Sequence, residues 1–222
     1  MVSGVLPRQS GKQRAYLVAA IGLVIFGVVA ADVFTHGIVT VADALIVRWF
    51  DVHSNPAITS LMLVVAAVHS TLGILIAVAI IACGLWVTGR RRDIVVLVVC
   101  VPGAMLLNRI AKEIFARHRP HVPDPILVLQ SYSFPSGHAA ASTALYGFLA
   151  WYLVARTALP KRRLAPLVAG VLVMLVCASR VYLRLHYLSD VLGGTALAGA
   201  WVALCIAQTS RSSREAQHAR VR

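Results

Sequence analysis

Three short polar islands interrupt an otherwise apolar chain. The first reads Lys112-Glu113-Ile114-Phe115-Ala116-Arg117-His118-Arg119-Pro120, the second Pro135-Ser136-Gly137-His138, and the third Ser179-Arg180 followed by His186 and Asp190. From them come fixed cations (Lys112, Arg119, Arg180), the histidines His138 and His186, the carboxylate of Asp190 and a helix start. Those are the groups needed to hold a phosphate and to cut it off through a histidine nucleophile.

Each island has a separate rationale. Lys112 and Arg119 are seven residues apart, nearly two helical turns, so a continuous helix would stack both cations on one face and Pro120 would end it. Two such cations can clamp a phosphate. The neighbouring Arg109 and Arg117, and Arg184 further on, read as residues that snorkel to lipid headgroups. In the second island Ser136 is a good N-cap and Gly137 allows close approach to the backbone. The first amides of the following helix then face an incoming anion. His138, on the first turn, is placed to give a proton to a leaving oxygen. In the third island His186 and Asp190 are four apart, which predicts one face of a helix at the start of the last span. A carboxylate on one imidazole nitrogen fixes the tautomer and leaves the other nitrogen free to attack. Arg180 would offset developing charge on the phosphate. The same His–Asp spacing can serve zinc, but no third and fourth ligand of suitable type lies nearby.

The scaffold that must position these groups is a membrane one. Of 222 residues, 59% are hydrophobic and 13% charged, and mean hydropathy is +0.80, where soluble domains are near half apolar and about a quarter charged. Six apolar runs are long enough, or nearly so, to cross a bilayer: about 15–34, 60–88, 94–107, 139–154, 164–178 and 188–207. The sequence thus predicts an all-α polytopic bundle of six transmembrane helices in a single domain over 1–222, with tails at 1–14 and 209–222. A run from Ile38 to Phe50 carries Asp43 and Arg48 and reads as a helix lying on the outer surface or as a connecting loop. Val29-Ala30-Ala31 resembles a signal-peptidase site, but the preceding apolar run is long and a retained first helix is expected.

Net charge is +13, a balance that first suggests nucleic acid. The distribution excludes it, because the charges sit between apolar runs rather than on one face. Fourteen of the 21 Lys and Arg residues fall before span one, between spans two and three, between spans four and five, and after span six. The positive-inside rule makes that side cytoplasmic, with both termini there. The islands then face the exterior of a cytoplasmic (inner) membrane. Cys83, Cys100, Cys177 and Cys205 lie inside apolar runs without metal-ligand spacing and read as small buried hydrophobes. Among the remaining histidines, His69 reads as a hydrogen-bonded packing residue, while His36, His53 and His121 read as outer-loop residues.

The islands resemble the three motifs of the type 2 phosphatidic acid phosphatase superfamily, membrane lipid phosphatases related to vanadium haloperoxidases. Lysine, six residues and Arg-Pro is met by Lys112 to Pro120. Pro-Ser-Gly-His is met at Pro135 to His138. Ser-Arg, five residues, His, three residues and Asp is met by Ser179-Arg180, His186 and Asp190. The motif core covers 112–190, and the span layout extends the likeness over most of the chain. The resemblance implies a phosphatase that needs no metal or cofactor. His186 would form a phosphohistidine with Asp190 orienting it, and His138 would act as acid and then base. Lys112, Arg119, Arg180, Ser136 and the Gly137 amide would hold phosphate oxygens.

A site flush with the outer leaflet suits a lipid phosphate, and an isoprenoid carrier such as undecaprenyl diphosphate is the first expectation. Phosphatidylglycerophosphate or phosphatidate is the alternative. A lipid-phosphate transporter would use the same cations but would not need His186 paired with Asp190. A haloperoxidase-like vanadate enzyme is at odds with six apolar spans.

Overall fold

The structure is a computed structural model. It describes residues 11–219 other than 124, 128 and 161, with side chains described as far as 209. Arg8, Lys161 and the outer parts of the two expected tails, 1–10 and 220–222, lie outside the described residues. The order is α1 (Gly11–Thr35), α2 (Ile38–Val52), α3 (Pro56–Val68), α4 (Thr71–Val87), α5 (Arg91–Phe115), α6 (Gly137–Arg156), a 3₁₀ turn (Arg162–Leu164), α7 (Ala165–Tyr182) and α8 (Leu188–Ala219). The all-α expectation holds, and the chain is a multi-pass membrane protein.

Six spans are not confirmed. Among the described residues four helices, α1, α5, α7 (with its 3₁₀ turn) and α8, are long and apolar enough to cross a bilayer, and a fifth span arises if α3 and α4 are taken together. The apolar run 60–88, expected as one helix, is bent by 51° between α3 and α4. Ser70 is the cause: its hydroxyl accepts the Gly73 N–H at 3.2 Å and starts a new helix. The run 139–154 lies within α6, which falls outside that group. Its Ser142 and Thr143 and its many alanines fit it to the middle of the bundle rather than to lipid.

Small residues make that central position possible. Ala140, Ala141, Ala144 and Phe148 of α6 meet Leu97, Cys100, Val101 and Ala104 of α5 and Ala198 and Val202 of α8 in the main core. Lipid offers no hydrophobic drive between helices, so close packing of small side chains has to supply the contact energy. The opposite surfaces of α1 (Leu17, Val24, Val28) and α7 (Leu167, Val171, Met174) are apolar and exposed.

The bundle has two chemically distinct ends. Arg90 donates to the Arg156 carbonyl at 3.1 Å, and Arg156 pairs with Asp93 at 3.3 Å, which brings the basic 88–92 and 156–163 connections together. The last turn of α5 and the first turn of α6, which carry Lys112 and His138, lie at the other end of the same helices.

Helix α1 is seated on α8 through Gly22. A Cβ built there would stand 2.9 Å from the Ala196 carbonyl oxygen and 3.1 Å from the Ala200 Cβ. Gly22→Val should therefore lower stability by about 1–3 kcal/mol through overpacking, read as a lower Tm in detergent.

Candidate active site

The site grows from the way α5 ends. Ala116 takes a left-handed conformation, φ 45°, and its N–H bonds to the Lys112 carbonyl at 2.9 Å. This closes the helix four residues before Pro120. Lys112 and Arg119 therefore do not share a helical face, as their spacing suggested. Lys112 stays on the last turn of α5, while Arg119 is carried by the loop. They converge because the segment 131–133 returns beneath both. Lys112 Nζ donates to the carbonyls of Tyr132 (2.5 Å) and Ser133 (3.2 Å). Arg119 donates to Ser131 O at 2.7 Å and to Leu185 O at 2.5 Å. An aromatic cluster of Phe26, Phe115 and Phe134 holds this segment against α1 and α5, with ring centroids 5.0–5.9 Å apart.

The second motif sits directly on α8. Ser136 N donates to the Asp190 carbonyl at 2.9 Å. A Cβ on Gly194 would stand 2.5 Å from the Ser136 carbonyl oxygen, so only glycine permits this approach. Buried Asn108 donates to the carbonyls of Pro135 and Ser136 at 3.3 and 3.4 Å. Ser136 occupies the N-cap of α6, but its hydroxyl makes no capping bond. Its Oγ, like Arg180 Nε, is a buried polar atom without a hydrogen-bond partner among the described residues. Both atoms are free to bond a ligand.

His186 and Asp190 do meet, though not along a helix. His186 belongs to the turn between α7 and α8, and Asp190 is in the first turn of α8. The His186 N–H bonds to the Arg180 carbonyl at 3.3 Å, and Arg184 in the same turn has φ 55°. Nδ1 of His186 lies 3.3 Å from Asp190 Oδ2, so it carries the proton and Nε2 keeps its lone pair. Nε2 stands 3.2 Å from Arg119 Nη1. Burial holds the ring neutral, with its pKa pushed down to about 3 even though Asp190 pulls the other way.

Asp190 is fully buried, at 0% exposure, and its carboxylate is saturated. Oδ2 accepts from Ser133 Oγ, from the Tyr187 N–H at 2.8 Å and from His186. Oδ1 accepts from Arg117 Nη1 at 2.8 Å. Arg117 is thus no headgroup snorkeller. Its Nη2 reaches Asp43 of α2 at 2.9 Å, so one guanidinium joins two buried carboxylates. Asp43 in turn accepts the Ser189 N–H at 3.0 Å and the Ser189 hydroxyl. Arg184 is not a snorkeller either: it is buried and paired with Asp51. The run from Ile38 is therefore a helix whose buried Asp43 helps fix the start of α8.

A cavity of about 440 Å³ opens on these groups. Lys112, Arg119, Gly137, His138, Arg180 and His186 all line it, together with His69, Asn108 and Arg109. Five of the six sequence-selected residues for phosphate holding and proton transfer thus share one cavity with the selected nucleophile, while Ser136 is buried beside it. His138 Nε2 lies 3.3 Å from the Ala66 carbonyl, which accepts only, so Nε2 bears the proton. His69 bonds to Val65 O at 2.8 Å and to the Tyr146 hydroxyl at 2.6 Å. It packs as expected and also faces the cavity. Sequence reading missed Ser133, Ser189, Asn108, Asp43 and Gly194. An aspartate within an apolar run was the one pointer to any of them, because charge at membrane depth is costly and is kept for a reason.

Asp43 is not among the cavity-lining residues, yet Asp43→Ala should cost about 3–5 kcal/mol by leaving a buried ion pair broken. Phosphate release should fall with it, and thermal unfolding in detergent alongside a release assay tests both. A second expectation concerns pH. The His186 pKa lies below its ordinary 6.5, so the unfolded chain binds more protons in acid. That part of the stability is complete above about 6.5 and drains away as pH falls toward 3. The drop in Tm between pH 7 and pH 5 should be smaller in His186→Gln than in the parent.

Comparison with known proteins gives the family. A family model described as the PAP2 superfamily matches residues 93–214. Phosphatidylglycerophosphatase B of Bacillus subtilis (strain 168) is 30% identical over 176 residues, covering 78% of this chain and 85% of that protein. Sphingosine-1-phosphate phosphatase 2 of Mus musculus is 33% identical over 104 residues, covering 45% of this chain and 29% of that protein. The crystal structure of a transmembrane PAP2 type phosphatidylglycerolphosphate phosphatase from Bacillus subtilis superposes with a TM-score of 0.79 at 28% identity, over 87% of this chain and 96% of that one. The chain belongs to the PAP2 superfamily and is a membrane phosphatase, a hydrolase of lipid phosphates.

Proposed function

We propose that this phosphatase acts on phosphatidylglycerophosphate at the outer face of the cytoplasmic membrane, through a phosphohistidine. The sequence match and the structural match that cover most of the chain both carry that activity in their names. The isoprenoid diphosphate expected first from the sequence has no support among the relatives, and the phosphatidylglycerophosphate alternative replaces it. The observation that carries the mechanism is the His186 ring. Nδ1 is tied to Asp190 and Nε2 lies beside Arg119 on the cavity wall.

In this reading His186 Nε2 attacks phosphorus. The bond to the glycerol oxygen breaks, and its electron pair leaves on that oxygen, which takes the Nδ1 proton of His138 in its imidazolium form and returns His138 to the neutral ring that keeps its Nε2 proton on the Ala66 carbonyl. A water molecule, deprotonated by His138, then attacks the phosphorus. The N–P bond breaks, phosphate departs, and the imidazole regains its lone pair. Asp190 stabilises the positive charge on His186 while the N–P bond exists. Lys112, Arg119, Arg180, Ser136 and the Gly137 amide hold the phosphate oxygens, and all are donors suited to the charge of the transferring group. The cation-rich end of the bundle at Arg90–Arg92 and Arg162–Arg163 faces the cytoplasm, which turns the cavity outward. The residues assigned to this chemistry are side chains and a backbone amide, and the reading needs no metal.

The test is phosphate release by purified protein in detergent with EDTA present. Phosphatidylglycerophosphate, phosphatidate, lysophosphatidate and undecaprenyl diphosphate are compared, each beside His186→Ala. The expected result is fastest release from phosphatidylglycerophosphate and loss of at least about a thousandfold in the variant, as for removal of a nucleophile. An acid-labile phosphoprotein should be trapped from labelled substrate in the parent and not in His186→Ala. Release that EDTA abolishes, or that survives in His186→Ala, would overturn the mechanism.

A further inference from the structure

The cavity wall contributed by α5 has an order along the helix. Met105 and Leu106 come first, Asn108 and Arg109 about one turn on, and Lys112 about one turn further. The wall passes from apolar, to one cation, to a second cation that reaches the phosphate-holding loop. Asn108 is buried and committed to the Pro135 and Ser136 carbonyls. Arg109 differs from every other cation of the cavity. Lys112 and Arg119 each bond several carbonyls, and Arg180 is buried at 2% exposure. Arg109 is exposed and has no hydrogen-bond or ion-pair partner among the described residues. A cation on a membrane-crossing helix is costly and is kept where a partner meets it.

We infer that Arg109 is a specificity determinant that binds the internal phosphodiester of a lipid carrying two phosphates, while Lys112, Arg119 and Arg180 take the terminal monoester. This rests on the phosphatidylglycerophosphate reading above. Side chains three apart on a helix are neighbours, with Cβ atoms about 5–6 Å apart. The two long side chains can therefore engage two phosphates joined by a glycerol bridge. The direction also fits. Acyl chains, diester and monoester follow one another in the lipid as Met105–Leu106, Arg109 and Lys112 follow one another toward the site. The Arg109 guanidinium can donate two parallel N–H bonds to the two non-bridging diester oxygens, which an ammonium cannot. Phosphatidate has no second phosphate and would leave Arg109 unused.

The experiment measures kcat and KM of the full chain in detergent micelles for phosphatidylglycerophosphate and phosphatidate, with Arg109→Met and Arg109→Lys beside the parent. The expected result is a fall of about tenfold in the preference for phosphatidylglycerophosphate, expressed as the ratio of the two kcat/KM values, on loss of a hydrogen bond to a charged group. The fall should come through KM, with Arg109→Lys intermediate. Tm and size-exclusion profiles establish that the variants are folded. If Arg109→Met is not recovered, the Arg109→Lys ratio decides alone, with a drop of several-fold expected. An unchanged ratio in folded variants, with phosphatidylglycerophosphate still hydrolysed, would overturn the subsite and leave the substrate reading intact. A parent enzyme that releases phosphate from phosphatidate but not from phosphatidylglycerophosphate would overturn the substrate reading, and the subsite with it.

Discussion

The rest of the site depends on one ion-pair chain, Asp43–Arg117–Asp190. A carboxylate moved out of water costs several kcal/mol unless its charge is met and its lone pairs are filled. Asp190 meets both conditions with donors from two separate segments, Arg117 and Ser133 from the 116–136 loop and Tyr187 and His186 from the turn before α8, and the Arg117 guanidinium is held in turn by Asp43 of α2. Arg117 is shared rather than spent on Asp190 alone. Its second carboxylate, Asp43, also accepts from Ser189 in the first turn of α8. The same few contacts thus position α8, the loop and the imidazole. A displacement of any one of them moves Nε2 of His186 relative to the cations.

The charge of the site follows from the same chain. Arg117 offsets one of the two carboxylates. Lys112, Arg119 and Arg180 then face the remaining negative charge from the cavity wall. With neutral histidines, these six side chains carry an excess of two positive charges, the charge that a phosphomonoester dianion brings. Desolvation makes such an excess costly in the protein alone, and it strengthens every bond to a bound phosphate. Ser136 Oγ and Arg180 Nε, both buried and without hydrogen-bond partners among the described residues, belong to the same pattern.

Much of this was legible in the sequence, and the limits have physical causes. The motif residues were found because ionisable groups are rare in apolar runs, and their spacing carried the chemistry. Their local geometry was misread where helical periodicity was extended across a break. A left-handed Ala116 has no sequence rule behind it, so the loop from Ala116 to Pro120 was read as helix. His186 was placed on α8 for the same reason. Arg117 was read as surface because a single arginine beside a motif carries no indication of two carboxylates 74 and 73 residues away in sequence. The run 139–154 was read as a span like the others, although α6 is buried among α5, α7 and α8. A helix wrapped by other helices needs small residues more than apolar ones.

The break between α3 and α4 is the clearest case of a local rule with a distant consequence. Ser70 turns its N–H to the Ala67 carbonyl at 3.1 Å, so the Ala66 carbonyl lacks the donor that a continuous helix would give it. His138 fills the position with its Nε2 proton. One residue earlier, the Val65 carbonyl takes Nδ1 of His69. A helix C-terminus carries partial negative charge, and here it orients two imidazoles through their N–H groups. For His138 this leaves Nδ1 as the nitrogen with a lone pair. Had residues 60–88 formed the single straight span that hydropathy suggests, the Ala66 carbonyl would be satisfied internally and the His138 ring would lose that acceptor. The interruption therefore belongs to the chemistry of the site, and a membrane helix tolerates it because protein groups satisfy the freed backbone.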